Sequence, residues 1–342
     1  KRPCGQIIVV DDGYDLFLTM VLYPNDANEN GKELRLRQQY FLASASLQDV
    51  IAHWIRQHGH EFGNFAKKSC FQLNDTHPSI AIAELMRLLM DVHGLSWTKA
   101  WGITRQTMAY TNHTLLPEAL EKWSVTLMQR LLPRLMEIIF EINAHFMSEV
   151  AAHWPGDKAR LSRMSIIEEG AEQQVRMAYL AIVGSFSVNG VARLHSQLLQ
   201  QGLFRDFYEL WPNKFNNKTN GVTQRRWLAS CNPELAALIT ETIGDGWVTH
   251  LDELKKLVPF AEDAEFRNRW RAVKQRAKQR LIVHKIQYLD ININIDALFD
   301  IQVKRIHEYK RQILNVLHVI HLYDLIKRGE TTNWVARCVL IG

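Results

Sequence analysis

The run FDIQVKRIHEYKRQILNVLHVIHLYDLIKRG, residues 299–329, changes its apolar period once, and that change decides the fold class. Phe299, Ile301 and Val303 alternate as one face of a short strand. From Ile313 the apolar residues recur at helical spacing through Leu314, Leu317, Ile320 and Ile326. The run then stops at Lys327, Arg328 and Gly329, as a helix end should. Cations meet the unpaired carbonyls there, and glycine accepts the left-handed turn. WVARCVLIG at 334–342 reads as a second strand. Strand, helix, strand of this length is a βαβ unit, which implies a parallel sheet and an α/β fold.

Between the first strand and the helix sit Lys304, Arg305, Lys310 and Arg311, with Glu308 as the one carboxylate and His307 and Tyr309 among them. The plain reading is a solvated helical face with a Lys304–Glu308 surface pair. Position favours a site instead. Lys304 and Arg305 directly follow the strand, at the edge where open parallel sheets bind ligands. Two like charges ~4 Å apart in a partly buried crevice repel by ~4 kcal/mol at an effective dielectric of about 20. Converging side chains would therefore need an anion from outside the chain. Phosphate suits an arginine fork and lysine point charges, so the segment predicts a phosphate site with room for two phosphates.

Working towards the N-terminus, Phe266, Trp270, Val273, Ala277 and Leu281 line one face of a basic helix, on which Lys274 and Lys278 read as solvated. NKFNNKTNGV is turn-rich at Asn216, Asn217, Asn220 and Gly221 and is the best boundary candidate, giving domains at 1–220 and 221–342. The first half reads as helical. HPSIAIAELMRLLMDVHG predicts a helix ended by Gly94, and Ser96 predicts the cap of the next. Val125 to His153 reads as one long amphipathic stretch ended by WPGD. MAYLAIVGSFSVNGVARLHSQLL runs from an apolar strand or buried helix into an amphipathic helix. Two polar clusters, LNDTHPS and YTNHTLLPEALE, each place a histidine among Asn and Thr before an apolar run. As structure these are helix caps at Asp75, Thr76, Asn112 and Thr114; as function, helix starts that offer N–H groups to a ligand.

A formal charge of +5 fits an enzyme for anionic small molecules as well as a polyanion binder. The four cysteines, Cys4, Cys70, Cys231 and Cys338, form no CxxC pair and suit reduced thiols in a cytosolic protein. No segment has the ~18–20 apolar residues that span a bilayer. KRPCGQIIVVDDG is too soon interrupted by Asp11 and Asp12 for a signal peptide, so the Asn-x-Thr sequons at Asn74, Asn112 and Asn217 need no glycan. His58-Gly59-His60-Glu61 hints at a metal, but the two histidines lie two apart with no third ligand spaced with them, so the run reads as surface loop and no metal is expected.

LNDTHPSIAIAELMRLL, AYTNHTLLPEALE, VNGVARLHS, KFNNKTNGVTQRRWL and FDIQVKRIHEYKRQILNVLHVI closely resemble the α-glucan phosphorylases, collinearly from about Val21 to Gly342. The resemblance implies a GT-B fold of two Rossmann-like domains, here incomplete. It also implies phosphorolysis of terminal α-1,4-glucosyl units of glycogen or maltodextrin to α-glucose 1-phosphate, with retention. Pyridoxal 5'-phosphate is the implied cofactor, acting through its phosphate. By this resemblance Lys304 holds the cofactor phosphate and Trp227 contacts the cofactor. Arg305 and Lys310 hold the substrate phosphate. His113 lines the sugar at its reacting carbon and 6-hydroxyl, and Asn220 shares that hydroxyl. Tyr309 touches the 2-hydroxyl, while His307, His77 and Val191 line the pocket. The implied partners are α-1,4-glucan and inorganic phosphate in a cytoplasmic homodimer, with neither nucleic acid nor membrane.

The sequence departs from the family pattern as well. Residues 1–20 do not match it, the chain stops inside the second domain, and the lysine that binds the cofactor aldehyde is not found. A phosphorylase fragment, inactive in isolation, is therefore expected. Its rival is a catalytically dead remnant that binds carbohydrate or polyanion. Gln224 and Ala83 stand where the family pattern has proline, and each is expected to loosen a helix start.

Overall fold

In the computed structural model, residues 28–117, 120–286, 293–332 and 334–342 are described, together with Leu18, Val21 and Pro24. The run at 1–13, Cys4 and the Glu308 side chain fall outside the described residues, and so do the readings placed on them. The chain divides into two compact units, Lys1–Asn220 and Gly221–Gly342.

The first unit opens with α1 (Glu29–His58), whose cap Asn28 accepts from the Gly31 N–H. There follow α2 (Phe65–Lys68), β1 (Phe71–Asn74), α3 (Ala81–Arg87), α4 (Trp97–Thr107), β2 (Met108–Thr111), β3 (Lys122–Ser124), α5 (Val125–Leu131) and α6 (Pro133–His153). Next come α7 (Lys158–Met164), β4 (Ile167–Glu168), β5 (Gln174–Arg176), α8 (Met177–Gly184), β6 (Ser187–Gly190), α9 (Arg193–Leu198), α10 (Arg205–Leu210) and β7 (Phe215–Asn217). A four-stranded sheet runs β1-β2-β6-β7, and every neighbouring pair in it is parallel. Leu73, Tyr110 and Val188 share a register row in its middle and are all buried. A small antiparallel sheet, β3-β5-β4, lies outside it.

Several expectations meet their outcome here. Gly94 ends its helix at φ +69°, its N–H donating to the Met90 carbonyl at 3.0 Å. Ser96 occupies the cap position of α4, but its side chain makes no capping bond. The stretch from Val125 to His153 is two helices, because Pro133 has no N–H to continue α5 and instead starts α6. MAYLAIVG is the buried helix α8, apolar on all sides as a helix inside a core should be. The Asn-rich run 214–220 contains strand β7, and only residues 218–220 lie outside regular structure. Ala83 is fully buried at the third position of α3, within the first turn, where proline is tolerated.

Lys214 fixes where β7 begins. Its ammonium donates to the carbonyls of Ile182 (3.2 Å) and Val183 (3.5 Å) at the end of α8, and lies 3.7 Å from the Trp211 ring centroid. Burial, then the nearby Arg105, push its pKa down to about 7, with Glu149 opposing. In the unfolded chain a lysine titrates near 10.4, so between about pH 7 and 10 the unfolded state binds more protons. Stability therefore rises through this window and is lost as pH falls towards 7. Denaturant unfolding should show the unit gaining on the order of 1–2 kcal/mol from pH 7 to 9, a gain missing in Lys214→Met. Equal slopes in the two proteins would refute this.

The second unit contains α11 (Pro233–Ile243), α12 (Ala264–Leu281), β8 (Leu298–Gln302), α13 (Gln312–Lys327) and β9 (Arg337–Ile341). A small core joins Leu235, Leu238, Ile239, Trp247 and Val273, with Phe266 and Trp270 of α12 packed against it. β8 and β9 pair in parallel, Phe299 opposite Cys338 and Ile301 opposite Leu340, around α13. The βαβ unit is present as the period implied. Lys278 is not solvated: its ammonium donates to the Ala297 carbonyl at 2.8 Å and sits 5.0 Å from the Phe299 ring centroid, steadying the entry to β8. Gln224 is buried, and its amide donates to the Val248 carbonyl at 2.9 Å, an anchor that proline at this position cannot make.

Among the described residues no helix is long and apolar enough to cross a membrane, and no cluster of His, Cys, Asp and Glu could hold a metal. His58 instead stacks on Trp54 at 3.9 Å, and Gly59 closes α1 at φ +63°.

Candidate functional site

The four parallel strands of the first unit end together at Asn74, Thr111, Gly190 and Asn217. The segments that leave them are laced by main-chain bonds. Asp75 N–H donates to the Thr111 carbonyl (3.0 Å) and Asn112 N–H to that of Asn189 (2.9 Å). Lys218 N–H donates to Gly190 (3.1 Å) and Asn220 N–H to Val191 (3.0 Å). His77, His113, Val191 and Asn220 thus stand on four adjacent loops at the C-terminal edge of one parallel sheet. That edge is where such sheets bind ligands.

Side chains continue the lacing. Gln72 donates to the Thr111 hydroxyl (2.8 Å), which donates to Asn189 Oδ1 (3.0 Å). Asn112 is buried, donating to the Tyr110 hydroxyl and accepting from the Thr114 N–H, each at 3.0 Å. His113 is exposed, and its Nε2 lies 2.6 Å from Asn74 Oδ1. An amide oxygen only accepts, so Nε2 carries the proton and a neutral ring leaves Nδ1 as an acceptor. His77 is half-buried and faces a groove of 520 Å³ with Asp75, Thr76, Glu121 and Trp123.

The capping reading of the two polar clusters does not hold. α3 starts after Ile80, without a side-chain cap. Asp75, at φ +72°, folds its carboxylate onto the Thr76 N–H (2.7 Å) within the loop. Asn112 and Thr114 close local turns onto Thr114 N–H and Leu116 N–H, and among the described residues the next α-helix is α5, from Val125. These residue types bond nearby backbone as readily in turns as at helix ends. A larger cavity, 660 Å³, lies elsewhere, among Arg160, Arg163, Arg176 and Asp206. It holds none of the expected sugar contacts, and its cations are engaged by Asp206, Glu209 and Glu168.

In the second unit, Lys304 to Arg311 follow β8, as expected. The Lys304 N–H donates to the Gly342 carbonyl at 2.9 Å, fixing the loop to the end of β9. Gln312 donates to the Arg305 carbonyl at 3.0 Å, and Asn315 to Gln302 Oε1 at 2.9 Å. The rings of His307 and Tyr309 meet at 4.4 Å, and Lys310 Nζ lies 5.7 Å from the Tyr309 centroid. Lys304, Arg305, His307 and Tyr309 are exposed and Lys310 is half-buried, so no enclosed crevice is formed by these residues. At water's dielectric the repulsion at ~4 Å falls to ~1 kcal/mol, and the cluster is stable without an obligatory anion. Trp227 is 70% exposed in the π-helical segment Arg225–Ser230.

Sequence reasoning passed over Asn74, Asn189 and His195, which hold these loops. All three stood inside the quoted motifs, and the signal that exposes them is spatial, namely that strands of three or four residues end beside one another.

Comparison with known proteins now bears on the site. The family model described as carbohydrate phosphorylase matches residues 11–342, so the resemblance placed from about Val21 begins earlier, and residues 11–20 belong to the family pattern they were expected to lie outside. Glycogen phosphorylase of Synechocystis sp. is 56% identical over 325 residues, 95% of this chain and 38% of that protein. The human muscle form of glycogen phosphorylase is 52% identical over 335 residues, 95% of this chain and 39% of that protein. The chain thus spans under two-fifths of the length of these relatives. A match across nearly the whole chain, on a mixed α/β fold with a parallel sheet, leaves one conclusion: the chain belongs to the carbohydrate phosphorylase family.

Proposed function

We propose that the whole protein is an α-1,4-glucan phosphorylase, releasing terminal glucosyl units of glycogen or maltodextrin as α-glucose 1-phosphate with retention. One observation carries the proposal: His77, His113, Val191 and Asn220 stand on four interlaced loops at the C-terminal edge of one parallel sheet. The finer fold reading, a GT-B fold built from Rossmann-like domains, belongs to the same proposal. The parallel sheet of the first unit and the βαβ of the second support it.

His113, with Nε2 engaged by Asn74, offers Nδ1 to a sugar hydroxyl, the 6-hydroxyl in this reading. Its main-chain carbonyl faces the carbon that gains positive charge as the glycosidic bond breaks. Asn220 shares the hydroxyl, and Val191 and His77 line the pocket. Tyr309 meets the 2-hydroxyl, with His307 packed against its ring. Arg305 and Lys310 hold the attacking phosphate and stabilise its charge.

The residues present suit pyridoxal phosphate by their chemistry. Lys304 offers an exposed ammonium for its phosphate and Trp227 an exposed indole for its ring. When bound, the cofactor supplies a second phosphate group as an acid–base partner to the first. The implied assembly is a homodimer. The test is a coupled assay of the full-length protein on maltooligosaccharides. Glucose 1-phosphate should form only when inorganic phosphate and pyridoxal phosphate are both present. Release of free glucose without phosphate would overturn the proposal.

A further inference from the structure

β1 and β2 end in register, Asn74 opposite Thr111, and His113 stands two residues beyond that last pair. The chain leaves β1 in a fixed turn. Asp75 takes φ +72°, which aspartate tolerates, and its N–H donates to the Thr111 carbonyl at 3.0 Å. Asn74 is therefore the last residue to keep the alternation of the strand. It shares a sheet face with Gln72, two residues earlier, and with Thr111 beside it. A polar row crosses that face. Gln72 donates to the Thr111 hydroxyl at 2.8 Å, which donates to Asn189 Oδ1 at 3.0 Å. The Asn189 amide in turn donates to the Gly190 carbonyl at 2.9 Å, so the row is anchored on β6.

One step towards the sheet edge, Asn74 presents Oδ1 to His113 Nε2 at 2.6 Å. Both residues are exposed, and a neutral imidazole facing water can hold its proton on either nitrogen. Among the described residues this is the one hydrogen bond made to the ring, so the amide decides between the two. Oxygen only accepts, which places the proton on Nε2 and leaves a lone pair on Nδ1. An amide nitrogen at the same point would impose the opposite arrangement. Whether Nδ1 accepts or donates is thus determined from β1, across the sheet from the loop that carries the ring.

We propose that Asn74 is a positioning residue that fixes the tautomer of His113, so that Nδ1 meets the sugar as an acceptor and favours a unit with a hydroxyl donating at that point. The inference rests on the proposed function for the identity of that group, the 6-hydroxyl, and on the Asn74–His113 hydrogen bond for its mechanism.

Asn74→Ala removes the acceptor and leaves the main-chain lacing of the loops in place. The full-length protein can be run in the synthetic direction, extending maltooligosaccharides from glucose 1-phosphate. There kcat/KM should fall about tenfold in the variant, the worth of one neutral hydrogen bond. With 6-deoxyglucose 1-phosphate, which lacks the 6-hydroxyl, the unmodified protein should already be slow. The substitution should then change kcat/KM by less than about twofold, since a contact already lost cannot be lost again. An equal fall with both sugar phosphates would show a general structural role and overturn the proposal, as would full activity of the variant with glucose 1-phosphate. In the unmodified chain 1–342, the ring ¹⁵N signals of neutral His113 should report a protonated Nε2 and a bare Nδ1, and Asn74→Ala should mix the two forms. A neutral ring protonated on Nδ1 would overturn the proposal whatever the kinetics. If the unmodified full-length protein does not use glucose 1-phosphate at all, the proposed function falls, and the ring signals still decide whether Asn74 fixes the tautomer.

Discussion

Glu84→Ala should destabilise the first unit by about 3 kcal/mol, the largest effect expected of a single side chain here. Glu84 is fully buried on α3, where it accepts from the Ser44 hydroxyl of α1 at 2.6 Å. It also accepts from both Nε and Nη2 of Arg87, each at 2.7 Å. The pair is a fork on a carboxylate in a place with little water, which raises the Arg87 pKa against the opposing effect of burial. Alanine would leave a guanidinium only 20% exposed without its counter-charge, and the Ser44 hydroxyl without its acceptor. Each orphaned group costs roughly 1–3 kcal/mol. The pair is not worth that much in itself, because both charges were taken out of water to make it. Glu84→Leu combined with Arg87→Met should therefore recover most of the loss. Chemical denaturation of the three proteins checks this; a loss under about 1 kcal/mol in Glu84→Ala would show that the pair is not isolated from solvent. The site would feel the change, since α3 continues directly from the loop that carries His77.

What could be read in the sequence follows element length. The βαβ of residues 298–341 was legible because its strands have five residues and its helix sixteen, enough for each period to repeat. The sheet whose loops carry His77, His113, Val191 and Asn220 was not. FQLN, MAYT, SVNG and FNN hold three or four residues each, too few to show alternation, and they are embedded among strong helix formers. The first half therefore read as helical, and polar clusters at strand ends read as helix caps. The residues of the site were found through their resemblance to a family, whereas their arrangement was not. Lys278 failed for a different reason: at the end of a basic helix nothing local shows that a returning loop brings the Ala297 carbonyl to its ammonium.

The Lys304–Arg311 loop was placed correctly at its strand end, and its role in the whole protein can be decided by substitution. On the proposed function, Arg305→Ala should lower phosphorolysis by the full-length protein about ten- to a hundredfold, since a charge-assisted bond to phosphate contributes ~1.5–3 kcal/mol. Lys310→Ala should act in the same direction and more weakly, because a flexible point charge is replaced more easily by its neighbours than a planar fork. The loss should appear chiefly in the KM for inorganic phosphate if the fork only binds the anion. It should appear in kcat as well if it also stabilises charge at bond breaking. Lys274→Ala, exposed on α12, is the control and should change little. The exposure of the loop makes the control informative. Solvated cations with no defined ligand act as a general field, and then removing any one of them has a similar, salt-sensitive effect. A nucleic-acid surface would behave that way too, with affinity for any polyanion falling steeply with salt. A phosphate site discriminates. Its affinity for inorganic phosphate depends on Arg305 and Lys310 far more than on Lys274, and persists at moderate salt. Equal losses at all three positions would remove the phosphate assignment from this loop while leaving the family membership untouched.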